Sequence, residues 1–129
     1  MTWRDRTVVV LKEPQNAANL GAVVRVMKNY GLTNLRLINP APGVLDGDRI
    51  DDLAHRSIDI TRRIDVYASL DTALADASYV VGTTARPRQG EWTVETPRQA
   101  APDLVQRART EFVAATADET YGTVGDLIK

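Results

Sequence analysis

The sequence predicts an α/β domain, a doubly wound and mostly parallel sheet with helices on both faces, and three observations lead there. Strand-like and helix-like segments alternate along the chain at the lengths of strand–helix–strand units. The first apolar segment, Thr7-Val8-Val9-Val10-Leu11, is continuous rather than alternating, the pattern of a strand buried on both faces of a parallel sheet. With 129 residues, 43% of them hydrophobic and 26% charged, the chain is long enough for one core and too short for two ordinary ones, so 1–129 is expected to be a single domain.

The opening run is expected to be the central strand, broken by Pro14, Gln15 and Asn16. From Ala18 to Gly31 the apolar residues Ala22, Val23, Val26, Met27 and Tyr30 recur at helical spacing, and Gly31 is a natural stop. Leu35 to Ile38 reads as the second strand, ended by Asn39-Pro40-Ala41-Pro42-Gly43, whose prolines and glycine cannot continue regular structure. A helix is expected over Ile50 to Ser57, a short strand over Ile64 to Tyr67, a helix over Leu70 to Asp76 and a strong buried strand over Tyr79 to Thr84. The stretch 86–96 reads as an exposed loop. Pro97 suits the first turn of a helix whose face is Ala100, Ala101, Leu104, Val105 and Ala108, and Glu111 to Ala115 is the last strand.

Sixteen basic residues nearly balance seventeen acidic ones, so no overall positive field draws the chain onto nucleic acid, and any such contact must come from a local patch. The absence of cysteine excludes a disulfide scaffold, a thiolate metal site and a cysteine nucleophile, and fits a reducing cytoplasm. The N-terminus carries charges followed by only a short apolar run, so neither a signal peptide nor a membrane span is expected.

In open α/β sheets the ligand sits beyond the carboxyl ends of the strands, where loops lead into helix N-termini. The loop Glu13 to Asn19 occupies such a position. Asn16 and Asn19 can cap the following helix or hydrogen-bond a ribose or phosphate, and the free N–H groups of a first helical turn favour an anion. Gly21, Arg25 and Asn29 lie four residues apart and form a stripe along one helix face. Gly21 permits close approach, Arg25 offers a bidentate fork for phosphate, and Asn29 adds an uncharged donor and acceptor. Taken one at a time, the same residues read more simply as caps, a packing contact and solvated surface.

Elsewhere the signals are bland. His55, the single histidine, falls on an expected helix and matches no motif. Asp46, Asp48, Asp51 and Asp52 cluster in a polar turn without the ordered ligand spacing of a calcium site, so no metal is expected. Trp3 and Trp92 have the chemistry to stack on bases, but an isolated tryptophan is more often a packing anchor.

Taken together, Pro14-x-Asn16-x-x-Asn19-x-Gly21-Ala22-x-x-Arg25-x-Met27-Lys28-Asn29-Tyr30-Gly31 resembles the first motif of the SpoU RNA methyltransferases of the SPOUT superfamily. Downstream, Leu70-x-x-Ala73-Leu74-Ala75-Asp76-Ala77 leading into Val80-Val81-Gly82-Thr83-Thr84-Ala85-Arg86-Pro87-Arg88 is similar to the branch of that family that methylates ribose in transfer RNA. Two separated matches in the right order are more specific than either alone. The resemblance implies a Rossmann-like three-layer sandwich, homodimerisation, and methyl transfer from S-adenosylmethionine to a ribose 2'-hydroxyl of tRNA or rRNA. It also implies a donor pocket built by a C-terminal trefoil knot.

By motif match the resemblance gives Arg25 the place of the family's catalytic arginine, and Asn16 and Asn19 those of its loop amides. A guanidinium that stays protonated is not a free base, so Arg25 would grip the adjacent phosphate and stabilise the incipient alkoxide. Lys28, Asn29, Arg86 and Arg88 would contact the RNA, and Thr83 and Thr84 would border the donor site.

The resemblance covers roughly residues 6–115. The glycine- and glutamate-containing loop and the Ser-Leu-Asn segment that build the family's knot do not follow, so the knot is expected to be missing or incomplete, leaving apolar surface exposed, with dimerisation, a partner chain or poor stability the expected result. Two functions compete on these terms: an RNA ribose methyltransferase by descent, inactive if the donor pocket is lost, and a non-catalytic RNA-binding or interaction module. A nucleotide-binding enzyme of another sort is disfavoured, because neither a G-x-G-x-x-G nor a P-loop pattern occurs.

Overall fold

The β-branched opening run forms the middle of the sheet. In a computed structural model that describes residues 2–45, 57–83 and 95–118, β1 (Thr7–Lys12) lies between β2 (Asn34–Ile38) and β5 (Val113–Asp118). Outside these, β3 (Asp65–Tyr67) pairs with β2 and β4 (Tyr79–Thr83) with β5, so the order is β3-β2-β1-β5-β4. Every pairing is parallel, which requires each connection to cross a face of the sheet. The described crossover helices are α1 (Ala17–Tyr30), α2 (Ile58–Thr61), α3 (Leu70–Ala73) and α4 (Pro97–Ala108).

Register sorts the side chains into two layers. Val9 sits beside Leu35 and Ala115, and Leu11 beside Leu37 and Ala117, so these residues share one face. Leu20, Val23, Val24 and Met27 of α1 and Ile60 of α2 pack on that face. Val8, Val10, Ile38 and Ala114 point the other way, against Ala73 of α3 with Leu74, Ala77 and Phe112 around it. Helices on both faces make the expected three-layer α/β sandwich.

The second face is also held by a polar staple. Arg36 of β2, its side chain only 14% exposed, donates to both carboxylate oxygens of Asp76 at 2.7 and 2.8 Å and to the Ala73 carbonyl at 2.9 Å. Its guanidinium lies over the Tyr67 and Phe112 rings, 5.5 and 5.2 Å from their centroids. The Asp76 carboxyl is held below its ordinary range, first by the hydrogen bond from Arg36.

Helix α1 stops where glycine predicts. Gly31 takes φ 75°, and the N–H groups of Gly31 and Leu32 bond back to Lys28 and Met27. Arg4 closes the same end by donating to the Tyr30 carbonyl at 2.9 Å, its guanidinium stacked 4.6 Å from the Trp3 ring centroid. At the start of α4, Pro97 takes the first turn as predicted, behind a reciprocal cap between Thr96 and Gln99.

Several expectations need correction. The core face of α1 is Leu20, Val23, Val24 and Met27, while Val26 and Tyr30 are 42% and 69% exposed. Apolar residues cover more than half the helix circumference, and only the arc toward the sheet is buried. Among the described residues β4 is an edge strand rather than a doubly buried one: it pairs with β5 alone, and Val80 is 42% exposed. The last strand begins at Val113, not Glu111, and runs on to Asp118, because it pairs with β1 along all six residues of that strand. Helix α3 ends at Ala73, and Leu74 to Asp76 form a turn that presents Asp76 to Arg36. Of the helix expected over 50–57, residues 50–56 lie outside the described residues, and Ser57 precedes α2 rather than closing a helix. His55, Trp92 and the aspartates at 46, 48, 51 and 52 also lie outside them.

The exposed flank of α1 borders a recess of about 220 Å³. Val23, Val26 and Tyr30 form one wall, while Ala115 and Ala117 of β5 and Thr83 of β4 lie on the sheet side. The short alanine side chains leave the space open, and the lining is almost wholly apolar.

Candidate functional site

The carboxyl rim is where the chain leaves β1 for α1. At its end, Glu13 enters the left-handed region with φ 54° while its N–H donates to the Ile38 carbonyl at 2.7 Å. Next to it, at the end of β2, Asn39 does the same with φ 45°, its N–H donating to the Tyr67 carbonyl at 3.1 Å. Two adjacent non-glycine residues of positive φ mark a rim whose backbone is held by its surroundings. Pro14 is fully buried between them, and its carbonyl accepts from the Ala41 N–H at 2.9 Å.

Asn16 then caps α1. Its Oδ1 accepts from the N–H groups of Ala18 at 2.8 Å and Asn19 at 3.3 Å, so the cap reading of this residue is correct. With those two donors satisfied, the positive end of the helix still faces the rim. Replacing the cap should cost about 1 kcal/mol, or roughly 4 °C of melting temperature in a domain of this size. Thermal unfolding of Asn16→Ala against Asn16→Asp checks this, since aspartate retains the cap.

The other predicted residues divide by position along α1. Asn19 is half-buried in the first turn, and its side chain takes no partner among the described residues. Arg25 is exposed and also takes no ion-pair or hydrogen-bond partner among them. At 100° per residue Arg25 lies about 120° around the helix from Asn19 and roughly 9 Å farther along it. Asn19 therefore faces the flank of Val26 and Tyr30, and Arg25 the outer surface. The stripe Gly21, Arg25, Asn29 drifts by about 40° per step, from a buried glycine to two exposed side chains.

Lys28 and Asn29 are not brought to the rim. They lie near the far end of α1, roughly 20 Å along the axis from Asn16. Lys28 is instead paired with Asp59 of α2 at 2.9 Å, and that pair lowers the Asp59 pKa, the hydrogen bond from Lys28 being the main cause. Thr83 does lie on the rim: Leu11, Ala117 and Thr83 stand in register, placing Thr83 two strands from β1, about 10 Å. Its hydroxyl donates to the Thr116 carbonyl at 2.9 Å, which ties β4 to β5. Thr84, Arg86 and Arg88 lie outside the described residues. Glu13 and Asn39 were not singled out from the sequence. For Asn39 the signal was its residue type, because asparagine tolerates positive φ; glutamate at 13 carries no such signal.

A parallel three-layer sandwich whose first crossover helix opens at the carboxyl rim is an α/β domain of the Rossmann-like class, a class whose ligands sit beyond the carboxyl ends of the strands. The family model described as the SpoU rRNA Methylase family matches residues 6–106, and the chain belongs to that family. It is 35% identical over 122 residues to the tRNA (cytidine/uridine-2'-O-)-methyltransferase TrmJ of Salmonella typhimurium, covering 94% of this chain and 49% of that protein. To the enzyme of the same description from Escherichia coli it is 39% identical over 106 residues, 82% of this chain and 42% of that one. Among solved structures, TrmJ from Z. mobilis superposes with a TM-score of 0.79 at 28% identity, over 87% of this chain and 49% of that chain. A probable methylase family protein from Haemophilus influenzae gives 0.78 at 32% identity, over 96% and 52%. The chain thus spans about half the length of the relatives it matches.

Proposed function

We propose that this chain is the RNA-facing part of a ribose 2'-O-methyltransferase acting on transfer RNA, with its carboxyl rim and the outer face of α1 against the RNA backbone. The observation that carries this is Arg25: an exposed guanidinium without a partner among the described residues, at the place of the family's arginine, on a helix whose N-terminus opens at the ligand edge. An arginine fork binds phosphate oxygens bidentately and fixes the neighbouring ribose. As the 2'-oxygen gains negative charge, the same cation stabilises it. Asn19, whose first-turn amide takes no partner among the described residues, supplies a neutral donor and acceptor for the ribose. Asn16 acts through the helix by capping it. Arg86, Arg88 and Thr84 are assigned to RNA and donor on sequence similarity, and Lys28 to an outlying phosphate contact that competes with Asp59.

S-adenosylmethionine is the methyl donor that the family implies. The described residues do not fit it by themselves: the Thr83 hydroxyl donates to the Thr116 carbonyl, and the recess beside it offers apolar walls where an adenine, a ribose and an amino-acid group need hydrogen-bond partners. That observation favours a second reading, RNA binding without methyl transfer. A homodimer and a cytoplasmic setting complete the proposal. Among the described residues no helix is long and apolar enough to cross a membrane.

The test is tRNA binding by fluorescence anisotropy at fixed salt, with calorimetry against S-adenosylmethionine. Arg25→Ala should weaken tRNA binding about fivefold and Arg25→Lys by less, because lysine keeps the charge but loses the fork. An Arg25→Ala variant that binds as the parent does would remove the RNA assignment. Absence of donor binding with RNA affinity intact would select the second reading.

A further inference from the structure

We propose that Asn39 is a positioning residue for this rim: it holds the 13–16 turn in place and, through it, the cap and first turn of α1. The motif match runs from Pro14 to Gly31 and does not include it. Pro14 is fully buried at this rim. Proline has no N–H, so its carbonyl is its only backbone hydrogen-bonding group, and here that carbonyl accepts from Ala41 at 2.9 Å. Ala41 reaches Pro14 only because the chain reverses at Asn39, whose φ of 45° turns it off the line of β2 and back over the end of β1. An extended residue at 39 would carry the chain past the rim and leave the Pro14 carbonyl unpaired.

Asn39 is itself pinned from the far side. Its N–H donates to Tyr67 at 3.1 Å and its Nδ2 to the Ala68 carbonyl at 3.0 Å, so the end of β3 fixes Asn39 and Asn39 fixes the approach to Pro14. Asparagine suits both tasks, since it tolerates the left-handed region and carries a side-chain donor. Beyond Ala41, Val44 is buried in the same core layer as Leu20 and Val24, which holds the reversed segment down. A continuous path of hydrogen bonds and short covalent steps therefore runs from Ala68 through Asn39, Ala41 and Pro14 to Asn16, and from Asn16 to the N–H groups of Ala18 and Asn19.

Amide hydrogen exchange by NMR reads this path directly, and only the final step, tRNA affinity, rests on the function proposed above. In Asn39→Val, a β-branched residue in a left-handed position, exchange at Ala41, Ala18 and Asn19 should rise about tenfold relative to Leu37 in the core. Asn39→Ala is the milder substitute if valine prevents folding. Asn39→Gly accepts the backbone conformation and loses only the bond to Ala68, so its exchange should stay within about threefold of the parent. Val113→Ala, at the amino end of β5, should destabilise the whole domain without raising Ala18 and Asn19 relative to Leu37. Affinity for tRNA should fall about fivefold in the valine variant and recover in the glycine one.

Unchanged exchange at Ala18 and Asn19 in Asn39→Val would overturn the proposal, as would disrupted exchange with tRNA affinity intact. If the parent binds no tRNA while the exchange pattern appears as described, the link from Asn39 to the cap stands and the RNA assignment fails.

Discussion

Arg36→Ala should lower the stability of the domain by about 3 kcal/mol, roughly 10 °C in melting temperature. The effect does not come mainly from the ion pair with Asp76, whose side chain is 55% exposed and regains water when the arginine is lost. It comes from the arginine itself: the largely buried side chain whose guanidinium lies over Tyr67 and Phe112 is deleted, and the Ala73 carbonyl loses its guanidinium donor. Asp76→Asn should therefore cost less, within about 1 kcal/mol at neutral pH.

The two variants also separate in acid. The folded-state pKa of Asp76 is lowered, so its contribution is fully present above the unfolded aspartate value, near about 3.9, and is lost as pH falls through the lowered one. Stability of the parent should accordingly fall more steeply below about pH 4 than that of Asp76→Asn. Urea titrations at neutral pH and at two acidic values decide both points. An Arg36→Ala variant as stable as Asp76→Asn would show that the packing argument is wrong.

Leu20→Ala should be of similar size, about 3 kcal/mol, for a different reason. Leu20 is fully buried on the α1 arc that meets the sheet, among Leu11, Leu35 and Leu37, and truncation leaves a cavity that rigid strands cannot collapse to fill. Val26→Ala, on the same helix but 42% exposed, should stay within about 1 kcal/mol. Chemical denaturation measures both. Because Leu20 points away from the outer face, the folded fraction of Leu20→Ala should bind RNA as the parent does, which sets it apart from Arg25→Ala.

The contrast between Leu20 and Val26 shows what could be read from the residues alone. The helix itself was plain, because its stop at Gly31 and its cap at Asn16 are local signals that need no knowledge of the surroundings. Which apolar arc faces inward was not, since Ala22, Val26 and Tyr30 keep helical spacing as well as Leu20, Val23 and Val24 do, and only the position of the sheet chooses between them. Strand β4 failed for the same reason. The run Tyr79-Val80-Val81 matches a buried strand, but burial depends on what surrounds it, and among the described residues one side of β4 has no strand.

On α1, the Asn16 cap was legible from residue type and place before the helix, and the exposure of Arg25 from its spacing off the apolar face. Two other features depend on proximity and so were invisible: Asn39 matters because Ala68 and Pro14 lie on either side of it, and Lys28 is engaged because Asp59, thirty-one residues away, comes to meet it.

The strand order also has a consequence for biosynthesis. Val8 finds one neighbour at Asn34 but the other only at Ala114, so β1 keeps one edge unpaired until most of the chain has left the ribosome. For that interval Thr7 to Lys12, an apolar and β-branched ribbon, is open to pairing with another nascent chain. The strand that organises the finished sheet is thus open to mispairing during synthesis, and slow translation between residues 39 and 112 would lengthen that exposure.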